Sequence, residues 1–151
     1  MIRSFVSLAV VTAMMGLAAG CGSSDPAIAV SGATIPVPMN PTVAALYFVI
    51  NNSGGADVLT QVATDTGATA TLHRSSMNPD GTSAMETLHE VPIDEGSSLA
   101  FKPGGYHVML DNPGDLAVGQ QVEVTLRFKI SDPVTVSAEV VESLTEESHG
   151  H

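Results

Sequence analysis

His107 and Met109 stand two apart in the run Lys102-Pro103-Gly104-Gly105-Tyr106-His107-Val108-Met109-Leu110. On a strand such a pair projects from one face, about 6–7 Å apart, while Tyr106, Val108 and Leu110 point the other way. An imidazole nitrogen and a thioether sulfur so placed can meet one small, soft metal ion. Thioether sulfur selects Cu(I), and imidazole suits copper in either oxidation state, so the first reading is a copper site. Taken alone, the pair is also what a packing methionine beside a satisfied histidine looks like. The pair is read together with His73 and Met85 upstream.

The intervals narrow that choice. His73 is followed by Arg74, by the ten residues Ser75 to Ala84, by Met85, by the twenty-one residues Glu86 to Tyr106, and then by His107-Val108-Met109. This spacing resembles the ligand pattern of the PCuAC family of periplasmic copper chaperones. Ala45-Leu46-Tyr47-Phe48-Val49-Ile50-Asn51-Asn52 is similar to the family's early strand, Leu72-His73 to its ligand strand, and Pro103 to Met109 to its most diagnostic stretch. Gly119 and Val122 to Phe128 resemble the strand that follows the site. The resemblance spans about residues 28 to 141. It implies an all-β, cupredoxin-like Greek-key sandwich that binds Cu(I) through His73, Met85, His107 and Met109. It also implies delivery to a respiratory copper protein, the oxidase subunit II domain of cytochrome c oxidase being the usual recipient. The chain departs from the pattern at Arg74, where many members carry a second methionine. Met77, three residues on, is an auxiliary candidate.

The amino terminus indicates where such a site would work. Met1-Ile2-Arg3 gives a positive start, Phe5 to Leu17 an apolar run, and Ala18-Ala19-Gly20-Cys21 a small-residue cleavage signal. The run is shorter than the roughly 20 residues of a comfortable membrane span. Cys21, followed by Gly22-Ser23-Ser24-Asp25-Pro26, resembles a bacterial lipobox and tether, with secretion after simple cleavage as the alternative. The expected plan is a signal peptide over 1–20, a lipidated tether over 21–27, one copper-binding domain over 28–141 and a tail over 142–151. The product would be lipid-anchored in the cell envelope, facing the periplasm or the exterior.

Cys21 is the sole cysteine. With that residue lipidated, the domain has neither thiol nor disulfide, and a blue-copper centre, which needs a thiolate, is excluded. Thioethers suit an oxidising compartment because they form no disulfides. Sixteen acidic residues face five basic ones, one of which, Arg3, leaves with the signal. That balance disfavours nucleic acid and anionic lipid as partners and favours cations and basic protein surfaces.

About 130 residues follow the signal, enough for one core and too few for two. They alternate short β-branched runs with turn signals at Asn52-Ser53-Gly54-Gly55, Asn78-Pro79-Asp80-Gly81, Pro103-Gly104-Gly105 and Asn112-Pro113-Gly114-Asp115. About eight strands are expected, at 44–51, 58–63, 68–73, 86–91, 98–101, 106–111, 121–129 and 134–141, forming a sandwich or barrel. In that frame Arg74 to Ala84 is a loop returning Met85 toward His73, and the ligands converge at one exposed end.

Other candidates carry less. His89 matches no ligand position, and Tyr106 should pack inward. Gly104 and Gly105 should form the turn that positions His107, and Asp57 should cap a turn. His149 and His151, in the acidic tail, are candidates for weak Cu(II) capture. No Ser/His/Asp arrangement, paired carboxylates or phosphate-binding loop stands out, so an enzyme is not expected. Copper storage at the cell surface and a metal-free interaction sandwich are the competing readings.

Overall fold

The computed structural model describes residues 24–142. Ten strands run through the described residues: β1 (Ile28–Pro36), β2 (Val43–Asn52), β3 (Asp57–Thr64), β4 (Thr69–Met77), β5 (Ser83–Leu88), β6 (Val91–Ile93), β7 (Ser98–Phe101), β8 (Tyr106–Asp111), β9 (Gln121–Phe128) and β10 (Val134–Val141). Their hydrogen-bonded order is β5-β4-β8-β7-β2-β1-β10-β9-β3-β6, with β8 also paired to β2. The all-β architecture is therefore as expected. β1 lies parallel to β10 and antiparallel to β2, joining the two halves of the sheet.

Alternation decides which residues enter the core. In β2, Ala44, Leu46, Phe48 and Ile50 are buried, and Phe48 stacks on Phe101 of β7 with centroids 4.3 Å apart. Val108 and Leu110 of β8, Leu72 of β4 and Val122, Val124 and Leu126 of β9 join the same cluster. Tyr106 turns toward it as well, 5.7 Å from the Phe101 ring, as expected.

Two strands exceed the expected eight. β6 is a three-residue segment separate from β5. β1 escapes a period-two reading because its register shifts between Ser31 and Thr34, where Gly32 has φ +63°. A bulge adds one residue and flips parity, so Ile28 and Val30 face inward before it, and Ala33 and Ile35 after it.

The segment from Arg74 to Ala84 is also not the expected loop. β4 continues to Met77, the chain turns through Asn78 to Thr82, and β5 returns from Ser83, paired residue by residue with β4. The turn is closed by Asn78 N–H donating to the Thr82 carbonyl at 2.8 Å and by the Asp80 carboxylate accepting from the Thr82 amide and hydroxyl. β8 ends against Arg74, so the far half of this hairpin overhangs the sheet.

Residues 24–27, the described end of the expected tether, are seated on the domain. The Asn52 side chain, 3% exposed, accepts from the Ala27 and Gly54 amides and donates to the Gly55 and Asp94 carbonyls. Ser53 N–H donates to Ala27 O and Gly55 N–H to Asp25 O. A Cβ at Gly54 would overlap the Asp25 carbonyl, and one at Gly55 the Ser24 carbonyl. The paired glycines therefore form a seat for this backbone. Cys21, the expected signal peptide and the tail with His149 and His151 lie outside the described residues.

Candidate metal centre

His73 and His107 face each other directly across the β4–β8 pair. Their rings lie nearly parallel, with centroids 5.7 Å apart and planes 20° apart. Both project from the face opposite Leu72 and Val108, yet both are buried, at 8% and 7% exposure. Thr71, Ser75, Met77 and Met109 share that face by parity, as do Met85 and Thr87 of β5.

Each imidazole is held differently. Lys102 to Gly105 forms a turn with Pro103 at its second position and Gly104 at φ +73°, a conformation that favours glycine there. The Gly105 carbonyl then accepts both the Ser75 amide at 3.0 Å and Nδ1 of His107 at 3.1 Å. A carbonyl only accepts, so Nδ1 carries the proton and Nε2 of His107 is left as a bare lone pair. One oxygen thus pins the ligand strand to β4 and fixes the tautomer that a metal needs.

At His73 the Thr71 hydroxyl lies 2.9 Å from Nε2, and the Thr87 hydroxyl lies 3.5 Å from Nδ1. The second contact is at the limit of a hydrogen bond and is the weaker of the two. Burial, and next the neighbouring His107, lower the His73 pKa below its ordinary 6.5, with Asp111 partly opposing. His73 is thereby biased toward the neutral, metal-accepting imidazole.

In strand register the two methionines lie on either side of the histidine row. Met109 lies two residues along β8 from His107, opposite Thr71. Met85 lies opposite Ser75, one diagonal step from His73. It is 55% exposed, whereas the histidines are buried. The four candidates therefore share one sheet face beside the hairpin instead of gathering from loops at one end of the sandwich. An open cleft of about 310 Å³ adjoins two of them, His107 and Met109, and is lined also by Ala45, Tyr47, Pro103 and Gly104.

Among the described residues no three histidine, cysteine or acidic side chains come together as a metal site. A four-donor centre on this face would have to recruit methionine, which favours Cu(I) over harder ions.

The remaining candidates separate from the pair. Arg74 points to the opposite face and pairs with Glu86 at 3.0 Å. His89 is exposed beyond β5, at a cleft of about 330 Å³ that also includes Thr60, Gln61, Thr71 and Thr87. Asp57 does more than cap a turn. Its buried carboxylate accepts from the Val58, Ile130 and Ser131 amides, tying β3 to the chain leaving β9. Burial pushes its pKa up, but the hydrogen bonds from Ser131, Val58 and Ile130 together hold it below the ordinary value.

Sequence reasoning missed Thr71, Thr87 and the Gly105 carbonyl as holders of the imidazoles. For Thr71 a signal existed, because it shares strand parity with His73. For Gly105 none did, since any residue supplies a carbonyl.

The LpqE-like lipoprotein family model matches residues 28–140. The lipoprotein Lxx21020 of Leifsonia xyli subsp. xyli is 28% identical over 118 residues, covering 76% of this chain and 71% of that relative. Among solved structures, the apo PCuAC domain from PmoF1 is 25% identical with a TM-score of 0.63, over 77% of this chain and 94% of that one. The copper-bound PCuAC domain from PmoF2 has a TM-score of 0.64 at 24% identity, over 77% and 93%. The solution structure of CuI-DR1885 from Deinococcus radiodurans has a TM-score of 0.59 at 25% identity, over 75% and 77%.

Proposed function

The chain belongs to the LpqE-like lipoprotein family and has the fold of the PCuAC domains, and from that premise we propose that it is an extracytoplasmic copper chaperone. It binds Cu(I) through His73, Met85, His107 and Met109, is anchored by lipid at Cys21, and passes its ion to a respiratory copper protein, the oxidase copper centre being the reading's first candidate. The copper-bound state of the PmoF2 domain and the Cu(I) state of DR1885 support this reading.

The observation that carries it is the buried histidine pair. His107 offers a bare Nε2 because Gly105 holds its other nitrogen, and His73 stands 5.7 Å away with only hydroxyls on its ring. Loading requires displacing one hydroxyl from His73, and the 3.5 Å Thr87 contact is the easier to give up. The imidazoles are prepositioned, so little chain entropy is lost on binding.

Delivery follows from the asymmetry in burial. Met85 is open to solvent while the histidines are not, so an incoming protein ligand reaches the ion from the Met85 side. The acidic chain favours a basic docking surface on that recipient. Ser24 is three residue steps from Cys21, a reach of at most about 11 Å. With residues 24–27 seated on the Gly54–Gly55 turn, lipid at Cys21 would keep the domain close to the membrane.

Equilibrium dialysis against Cu(I) under reducing conditions tests the reading, combined with X-ray absorption on the loaded protein. One ion in a mixed nitrogen and sulfur shell is expected, and rapid transfer to an oxidase copper domain. Absence of binding would reduce the molecule to an interaction sandwich, and slow release in the presence of the acceptor would make it a copper store.

A further inference from the structure

The overhanging hairpin carries a second methionine on the ligand face. On β4, His73, Ser75 and Met77 share one side, and on β5 Ser83, Met85 and Thr87 share it too. Met85 pairs with Ser75, midway between His73 and Met77. It is therefore a diagonal neighbour of both, at a Cα separation of about 7–8 Å in each direction. Met77 is 72% exposed and Met85 55%, unusual for large apolar side chains that could pack elsewhere. Only small hydroxyl side chains, Ser75 and Ser83, lie opposite them. The charged residues on the two strands of the hairpin, Arg74 and Glu86, are paired on the reverse face, and Asp80 lies in the turn, bonded to Thr82.

We propose that Met77 and Met85 form a second, transient Cu(I) site on the β4–β5 hairpin, with Met85 shared between it and the buried histidine centre. The proposal rests on the copper-binding reading above. Methionine has three rotatable bonds and a polarizable sulfur, so Met85 can turn from the His73 side to the Met77 side without moving the backbone. Two neutral thioethers hold Cu(I) without proton release and more weakly than a site that adds imidazoles. Such a site takes the ion from the buried pair one ligand at a time and presents it on the protruding strand, where an acceptor can reach it. No bond other than the metal–ligand bonds changes, and copper stays Cu(I) throughout. Arg74, where the family pattern often has methionine, lies on the reverse face. A ligand at that position faces the wrong side of this hairpin, whereas position 77 faces the right one.

The test uses Cu(I) itself under anaerobic, reducing conditions. In the background His73→Ala/His107→Ala/Met109→Leu, which leaves Met77 and Met85 in place, weak binding of one Cu(I) with a sulfur-only shell is expected, and adding Met77→Leu should abolish it. In the otherwise native chain, Met77→Leu should leave equilibrium affinity within about twofold but slow both loading and release to a chelator about tenfold, since removing an intermediate on the exchange path raises the barrier without changing the end states. A triple variant that binds no Cu(I), or native release rates in Met77→Leu, would overturn the relay. Native protein that fails to bind Cu(I) at all would instead overturn the chaperone reading. Met77 is exposed and leucine is close in volume, so loss of folding does not confuse the result.

Discussion

Replacing Asn52 by alanine should cost the domain about 3–4 kcal/mol, because one buried side chain satisfies four backbone groups. Two of them, the Gly54 N–H at 3.1 Å and the Gly55 carbonyl at 2.7 Å, are fully buried with it. The other two, the Ala27 N–H and the Asp94 carbonyl, both at 3.1 Å, are partly open to water. At about 1 kcal/mol for each hydrogen bond the sum is about 4 kcal/mol, of which water returns part at the two open groups. Against a typical total of about 5–15 kcal/mol this is a large fraction. In urea, with a slope of about 1–3 kcal/mol per molar, the midpoint should fall by roughly 2 M while the slope stays constant. Gly54→Ala attacks the same seat sterically and should free residues 24–27 to hydrogen exchange with a smaller loss of stability. Copper binding should survive both changes, since Asn52 lies five residues along β2 from the level of the histidine pair, about 16 Å. A loss below about 1 kcal/mol in Asn52→Ala would refute the reasoning, because it would mean that water replaces all four partners.

The His73 pKa lies below its ordinary value, through burial first and His107 second, so in the window just under pH 6.5 the unfolded chain binds a proton that the folded domain does not. Metal-free stability should therefore fall as pH drops through that window and stay flat above it, as urea titrations between about pH 5 and 8 would reveal. In the same window Cu(I) should hold at His73 to lower pH than at a free imidazole. Chelator competition in the His73→Ala/His107→Ala variant should show weaker binding with a flattened pH dependence, and wild-type slope there would remove the histidines from the site. Met85→Leu with Met109→Leu should weaken Cu(I) but keep the slope, since a thioether does not titrate; X-ray absorption of that variant should lose sulfur from the shell. Cys21→Ser should move the protein from the membrane fraction to the soluble one with Cu(I) affinity unchanged, and continued tight attachment would contradict lipid anchoring.

Much of the site was legible because two of its determinants are local. The intervals from His73 to Met85 and on to His107 and Met109 are fixed in the covalent chain. Parity within β8 sends Val108 and Leu110 to the core and His107 and Met109 to the other face, whatever the strand pairs with. The all-β class followed in the same way from short alternating runs between Gly- and Pro-rich turns.

What pairs with what was decided only by the fold. Local pattern does not encode cross-strand register, so the direct opposition of His73 and His107, and of Met85 and Ser75, had to come from the assembled sheet. β1 was hidden by a bulge that reverses its parity midway. The polar run after Arg74 looked like a loop, yet it extends as a hairpin because β4 and β5 satisfy each other's backbone groups and a closed turn joins them. The seat for residues 24–27 depends on Asn52, Gly54 and Gly55 meeting a segment about 27 residues earlier, and no window of sequence contains that encounter. The chain by itself therefore set which donors exist and which way each faces on its strand. The tertiary structure set their mutual distances, because those depend on hydrogen bonds between segments far apart in sequence.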